Sequence, residues 1–303
     1  MKDIVIIGAG PAGFTAGIYA VRSGMDALLL ERRATGGQVL DTDWIENYPG
    51  FPGGINGAEL MGRFEKHARD LGVSIESDEV HEIRREQDSF VLRTRKGEIK
   101  TKTVILATGT GPRPLGVEGE DRLRGKGVSY CAVCDGFFFR DQEVAVVGGG
   151  DAAVEEAHFL TRFCSKIYLI HRRDQLRAVG SLQRRALDNP KIEPLWDTVV
   201  TEIRGENSVE ELILKNTKTG APGNLKVGGV FIYVGLVANS YLYKGLVELD
   251  ERGFVKTDVE MGTSVPGLFA AGDVRKTPLR QVVTAVADGA VAAITAEKYI
   301  TGS

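Results

Sequence analysis

Two cysteines three positions apart, Cys131 and Cys134, are the residues of this chain whose spacing most directly permits chemistry. A thiolate attacks a disulfide sulfur and a second thiol close in sequence resolves the mixed intermediate, so Cys-x-x-Cys suits two-electron exchange with another disulfide. The same spacing is half of a zinc site. Zinc needs two more ligands, however, and what remains is Cys164, expected on a buried helix, and four scattered histidines with no pair at ligand spacing. No metal is expected. Asp135, the next residue, is either an acid placed to move a proton or a helix cap. Phe137, Phe138 and Phe139 read either as a buried strand or as a docking surface for a protein substrate.

A dithiol that turns over needs a source of electrons, and two glycine motifs offer sites for nucleotides. The apolar run 4–7 flows into Gly8-Ala9-Gly10-Pro11-Ala12-Gly13 and then a helical stretch to about Gly24. In such a strand, turn and helix, Gly8 makes the turn, Gly10 lets the backbone approach a pyrophosphate and Gly13 brings helix against strand. The helix N-terminus presents unpaired N–H groups to the phosphates. A second apolar run, 27–30, ends in Glu31, eighteen positions after Gly13, where a dinucleotide fold places its ribose acceptor.

The pattern recurs where the run 144–147 enters Gly148-Gly149-Gly150-Asp151-Ala152-Ala153, followed by a helical stretch over 154–163. Gly148, Gly150, Asp151 and Ala153 are the candidate contacts of this second site. Its next strand, 166–170, closes not on an acid but on His171-Arg172-Arg173, with Arg177 four residues beyond. Charge runs are usually solvated faces, but planar guanidinium groups at a strand end suit a 2′-phosphate, which predicts NADPH rather than NADH. His171 reads equally as a strand-end residue that packs over the adenine.

The elements that must position these groups also come in two similar sets. Each half passes through short alternating stretches, 90–95 and 211–214, and closes on an apolar strand that ends at Gly109 or Gly235. From first motif glycine to closing glycine the span is 101 residues (109 − 8) in one half and 87 (235 − 148) in the other, a weak internal repeat. Residues 109–119 and 235–242 are the natural crossovers. A last strand runs to Gly272-Asp273, and a helix over about 279–300 follows, opened by Arg280 and Gln281, with Val283, Val286, Ala287 and Ala290 as its core face. This segment belongs with the first half, where an acid reaches a ribityl hydroxyl and a helix start favours charge on a reduced flavin. The expected fold is α/β: two nested Rossmann-like dinucleotide-binding domains, for FAD and NADPH. The FAD domain is discontinuous, 1–112 and 242–303, and the NADPH domain, 113–241, carries the cysteines.

Composition agrees. A chain of 303 residues accommodates two ordinary domains, and 43% hydrophobic with 26% charged residues suggests neither disorder nor a membrane span. Its 38 glycines are roughly one residue in eight, against about one in fourteen in average chains, which points to nucleotide cofactors. A net charge of −3 gives no field for nucleic acid. The N-terminus has no signal-peptide core, so a cytoplasmic location is expected.

Gly8 to Gly13, Gly36-Gly37-Gln38, Glu46-Asn47-Tyr48-Pro49-Gly50, Ala107-Thr108-Gly109, Cys131-Ala132-Val133-Cys134-Asp135-Gly136, His171-Arg172-Arg173, Gly272-Asp273 and Arg280-Gln281 occur in one order along the chain. In these motifs the whole chain resembles the low-molecular-weight, bacterial-type NADPH thioredoxin reductases. The resemblance implies a thioredoxin-disulfide reductase with FAD held by Gly8, Gly10, Ala12, Gly13, Glu31, Gly37, Gln38, Asn47, Val80, Gly109, Gly272, Asp273, Arg280, Gln281 and Val282. It implies that Cys134 meets the flavin, that Cys131 attacks the substrate disulfide, and that Asp135 protonates the departing thiolate. A homodimer, thioredoxin or a similar small disulfide protein as partner, and a domain rotation that lets nicotinamide and cysteines take turns at the flavin are implied too. Three positions depart from the family pattern: Ala152 where a hydroxyl is common, Val133 where Thr is common, and Ala238 where a proline beside Asn239 is expected. The rival readings are another flavin reductase, peroxide- or ferredoxin-linked, and a non-enzymatic redox sensor.

Overall fold

The computed structural model of the chain describes residues 1–302. It divides into two units, Met1–Gly111 with Val237–Ser303, and Pro112–Leu236. Among the described residues no helix is long and apolar enough to cross a membrane.

The first unit is built on a seven-stranded sheet. Four parallel strands lie in the order Ser74–Ser77, Ala27–Glu31, Lys2–Ile7, Gly97–Leu106, and Leu268–Ala270 pairs in parallel beyond the last. The antiparallel strands Ser89–Thr94 and Val80–Glu86 extend the same sheet. The run Ile4 to Ile7 is apolar at every position because both faces of its strand are covered. Side chains alternate across a strand, so Ile4 and Ile6 join one core while Val5 and Ile7 join another. Helix Pro11–Arg22 packs over the first face, against helix Val282–Thr301.

The C-terminal helix departs from the sequence expectation in start and face. It begins at Val282, with the Gln281 amide donating to Thr284 Oγ1 at 3.2 Å, so Arg280 and Gln281 precede it. Its buried residues are Ala285, Asp288, Gly289, Ala292, Ala293 and Ala296, whereas Val283 is exposed. Size decides the face: a Cβ on Gly289 would lie 2.2 Å from the Ala12 carbonyl oxygen, an approach that only the smallest residues allow.

The second unit repeats the central plan. Ile192–Leu195, Lys166–Ile170, Glu143–Gly148, Gly229–Tyr233 and Val128–Ser129 form an all-parallel five-stranded sheet. Again alternate residues of one strand, Val144 and Val146 against Ala145 and Val147, feed separate cores. The meander Thr198–Arg204, Glu211–Asn216, Pro222–Lys226 forms a separate three-stranded sheet, while its counterpart in the first unit is fused to the main sheet. Helix Asp151–Leu160 ends three residues short of the expected limit. Cys164 is buried but lies past it, in a turn closed by the Phe163 and Cys164 amides, which both donate to the Leu160 carbonyl at 3.0 and 2.9 Å.

Candidate active site

In the first unit the glycine turn is held in shape from below and from the side. A Cβ on Gly13 would fall 1.8 Å from the Gly8 carbonyl oxygen, so the helix rests on the turn with nothing between. The Glu31 carboxylate accepts the Ala9 amide at 2.9 Å and, through its other oxygen, the Arg33 amide at 2.9 Å. Four lone-pair sites leave it free to accept ribose hydroxyls as well. Gly8, Glu31 and Val80 line one cleft together with Thr108, Asn239 and Tyr241. Helix Pro11–Arg22 starts at Gly10 with no side-chain cap, and nothing lies within 4 Å of the position a Gly10 Cβ would take. Uncapped amides facing open space are what a pyrophosphate requires.

The remaining candidates of this unit converge on the same turn. Gly37 opens the short 3₁₀ turn Gly37–Asp41, where its Cβ would stand 3.3 Å from Gly10 Cα. Gln38 pairs with Thr110 through its amide nitrogen at 3.0 Å and its oxygen at 3.1 Å, flanking Gly109. Asn47 donates to the Gln281 side chain at 3.1 Å, beside Val282 at the helix start. Gly272 packs toward Ala12, whose Cβ would be 3.0 Å from a Cβ there. The Asp273 carboxyl is pushed up to about 6 by burial, against the opposing pull of Arg280. Arg280 itself lies 4.0 Å over the Phe254 ring and donates to the Asp273 carbonyl. This cradle, with open glycine backbone, uncapped amides and a desolvated acid, fits FAD.

Two supports of this cradle were not legible in the sequence. The Asn239 amide donates to the carbonyls of Thr108 and Thr110, both at 2.9 Å, and the buried Tyr243 hydroxyl meets Thr108 Oγ1 at 2.7 Å. Asp288, on the C-terminal helix, takes Arg275 in a two-point ion pair at 2.6 and 3.0 Å and accepts the Gly272 amide at 3.1 Å.

In the second unit the turn 148–150 leads into helix Asp151–Leu160, again without a side-chain cap. A Cβ on Gly148 would meet Ala153 Cβ at 2.6 Å, so Ala153 serves the close packing that Gly13 serves in the first unit. Asp151 accepts the Val179 amide at 2.8 Å, and the Arg177 amide donates to the Gly149 carbonyl at 2.6 Å, which fastens the arginine loop to the turn. His171 is buried directly beneath: a Cβ on Gly149 would overlap its ring at 2.3 Å. Burial foremost, then the Arg177 and Arg173 charges, hold this imidazole below the ordinary histidine pKa, so the ring is uncharged at neutral pH. Arg172, Arg173 and Arg177 are exposed around it. Uncapped amides beside exposed guanidinium groups fit a phosphorylated dinucleotide.

Cys131 and Cys134 are joined as a disulfide, with Cα atoms 5.4 Å apart, at the one-turn helix Ala132–Asp135. Cys134 is exposed and Cys131 half-buried. The Ala132 amide donates to the Tyr233 hydroxyl at 2.8 Å, and Tyr233 pairs in register with Gly148, so one residue ties the disulfide to the glycine turn of this unit. Asp135 accepts the Ser129 hydroxyl at 2.6 Å. The three phenylalanines are not a strand. They form the 3₁₀ turn Gly136–Phe139, with Phe137 and Phe138 59% and 73% exposed and Phe139 packed on Phe231 at 5.3 Å. Gly229 explains the turn: its missing Cβ leaves room for the Phe139 ring, which would otherwise lie 2.4 Å away.

A profile of the pyridine nucleotide-disulphide oxidoreductases matches residues 2–289. The thioredoxin reductase of Peptoclostridium litorale is 48% identical over 98% of this chain and 96% of its own. That of Bacillus subtilis is 45% identical over 98% and 94%. The solved thioredoxin reductase of Lactococcus lactis superposes with a TM-score of 0.98 at 46% identity, covering 100% of both chains.

Proposed function

Because the chain belongs to the pyridine nucleotide-disulphide oxidoreductase family, we infer that it is an NADPH-dependent thioredoxin-disulfide reductase. The observation that carries the reading is the Cys131–Cys134 disulfide, half exposed and fastened through Tyr233 to a glycine turn, in a chain that holds a second glycine cradle. FAD held in the first cradle would supply the hydride-accepting, two-electron chemistry that couples NADPH to that disulfide.

The residues of this chain then have distinct tasks. Gly8, Gly10, Gly13 and Gly37 give backbone access to the pyrophosphate, Glu31 accepts the ribose hydroxyls, and Asp273 with the helix start at Val282 faces the flavin end. Gly148, Gly150 and the first turn of helix Asp151–Leu160 receive the NADPH pyrophosphate, and Arg172, Arg173 and Arg177 pair with the 2′-phosphate. Cys131 is the outward nucleophile toward the protein disulfide, Cys134 the sulfur that exchanges electrons inward, and Asp135 the acid that protonates the departing thiolate. Phe137 and Phe138 offer the partner an apolar face, with the Arg140 guanidinium 5.2 Å over the Phe137 ring. The partner is thioredoxin or a protein like it, the working form is a homodimer, and the location is cytoplasmic.

The test is direct. The purified protein should show flavin absorbance, lose it on titration with NADPH far more readily than with NADH, and turn over NADPH when given a small protein disulfide. A colourless protein that cannot be reconstituted with FAD, or a yellow one that reduces no protein disulfide, overturns the reading.

A further inference from the structure

We propose that Ser129 is a positioning residue for disulfide exchange, holding the Asp135 carboxyl against the Cys131 end of the redox pair. The inference rests on the reading of Asp135 as the acid of that step, and it adds a residue that no motif marks.

Ser129 closes the short strand Val128–Ser129 and is buried, with 5% of its surface exposed. Its oxygen stands among three groups: Asp135 Oδ2 at 2.6 Å, the Cys131 amide at 3.1 Å and the Cys131 carbonyl at 3.2 Å. A hydroxyl has one hydrogen to give. The shorter contact and the charged acceptor assign it to Asp135. The Cys131 amide donates to the same hydroxyl oxygen, so the chain of bonds runs from Cys131 N–H through Ser129 O–H to the carboxylate. The backbone closes the loop from the other side, where the Asp135 amide donates to the Cys131 carbonyl at 3.2 Å. The side chain and the main chain of Asp135 are therefore both tied to Cys131, one of them through Ser129 alone.

This geometry divides the two carboxyl oxygens. Oδ2 is engaged as an acceptor from Ser129, which leaves Oδ1 to carry and release a proton. In exchange the Cys131 thiol first gives its proton to the Asp135 carboxylate at Oδ1, and the Cys131 thiolate so formed attacks one sulfur of the partner disulfide. The Cys131–sulfur bond forms as the partner's own S–S bond breaks, and the first partner thiolate leaves. The proton on Asp135 passes to that thiolate. Cys134 then attacks Cys131 sulfur, the mixed disulfide breaks, and the proton released by Cys134 goes to the second partner thiolate. Two electrons and two protons have moved from the dithiol to the partner, and Cys131–Cys134 is a disulfide again. Without the Ser129 hydroxyl the carboxyl is free to rotate, and its proton is no longer presented at one place.

The experiment uses the FAD-loaded enzyme, thioredoxin and NADPH, and follows two half-reactions by rapid mixing: bleaching of the flavin by NADPH, and reduction of the thioredoxin disulfide. Asp135→Asn should slow exchange about 100-fold. Ser129→Ala should slow exchange about 10-fold through kcat rather than KM, Ser129→Thr should restore most of it, and flavin bleaching should stay at the wild-type rate in both. Combined with Asp135→Asn, Ser129→Ala should add nothing further, since the two act through one proton. If Asp135→Asn slows exchange and Ser129→Ala slows it again by the same factor in that background, or has no effect on exchange in the native background, the role of Ser129 falls while the acid stands. If Asp135→Asn exchanges at the native rate, the acid assignment falls and takes the Ser129 inference with it. Loss of flavin bleaching in Ser129→Ala, with no rescue by Ser129→Thr, would show a merely structural serine and overturns the proposal.

Discussion

The two cysteines are differently placed: Cys134 is exposed, Cys131 is half-buried, and the Cys134 amide donates to Cys131 Sγ at 3.1 Å. In the proposed roles Cys134 is the sulfur that exchanges electrons inward, and Cys134→Ser removes it. Disulfide turnover should fall by at least about 1000-fold while NADPH-driven flavin bleaching persists. Equal loss of both would mean that the cysteines are not downstream of the flavin. Asp273 gives a second prediction, in stability. Burial raises its carboxyl from 3.8 to about 6, so between those values the folded chain holds a proton that the unfolded chain has released. Stability from this group is full below pH 4 and is lost as pH rises toward 6. In flavin-free protein Asp273→Asn should therefore gain about 2–3 kcal/mol at pH 7 and flatten the slope between pH 4 and 6, measured as urea midpoints. An unchanged slope would show that another group governs it. The cysteines, the glycines and Asp273 were legible because each sits in a motif with fixed spacing. Ser129, Asn239 and Tyr243 were not, since a small polar residue carries no periodicity and Asn239 finds its partner Thr108 across 131 positions of chain.

At the level of elements, strands were read more faithfully than helices, for a reason that the C-terminal helix makes plain. A buried parallel strand announces itself as an unbroken apolar run, as at Ile4 to Ile7. Helix Val282–Thr301 is apolar nearly all round, and alanine and glycine, which a hydrophobicity pattern weighs lightly, form its packed face while Val283 and Val291 are exposed. Asp288 lies on that packed face, which makes sense only with its partner in view. The Arg275–Asp288 side chains are 16% and 10% exposed, and together they anchor the loop that carries Gly272 and Asp273. Cutting one partner from a buried pair strands the other's charge. Asp288→Asn should cost about 3–5 kcal/mol of stability and weaken FAD retention in proportion, seen as an earlier urea midpoint and flavin released on gel filtration. Replacing the pair together, Arg275→Met with Asp288→Leu, should recover much of that loss, because both desolvation penalties disappear. A double variant no better than the single would mean that Asp288 acts mainly through the Gly272 amide.

On the scale of the molecule, nesting one unit within another constrains how the chain can fold. The segment Pro112–Leu236 is continuous, and its parallel sheet and its cores are formed from its own residues. The first unit is different: Leu268–Ala270 completes its sheet beside Gly97–Leu106, and helix Val282–Thr301 covers helix Pro11–Arg22, so residues 1–111 alone lack part of their core. The repeat of motif, meander and glycine-ended strand made this plan readable in the sequence, but the crossover geometry was not, because it rests on single hydrogen bonds. The Asn239 amide reaches the Gly109 carbonyl at 3.0 Å, and the Arg113 amide the Gly235 carbonyl at 2.9 Å, so the outgoing and returning strands run side by side at each end. The break in the first unit is thus narrow enough to close. Joining Gly111 to Val237 through two or three glycines should give a protein that folds cooperatively, binds FAD and gains about 2.7 kcal/mol at a hundredfold excess of FAD over its dissociation constant. It should have no NADPH oxidation. Residues 112–236 expressed alone should fold, hold the Cys131–Cys134 disulfide and bind NADPH without colour, whereas residues 1–111 alone should stay unfolded by circular dichroism. Should 1–111 take up flavin unaided, the returning strand and helix are an embellishment of that unit and not part of its core.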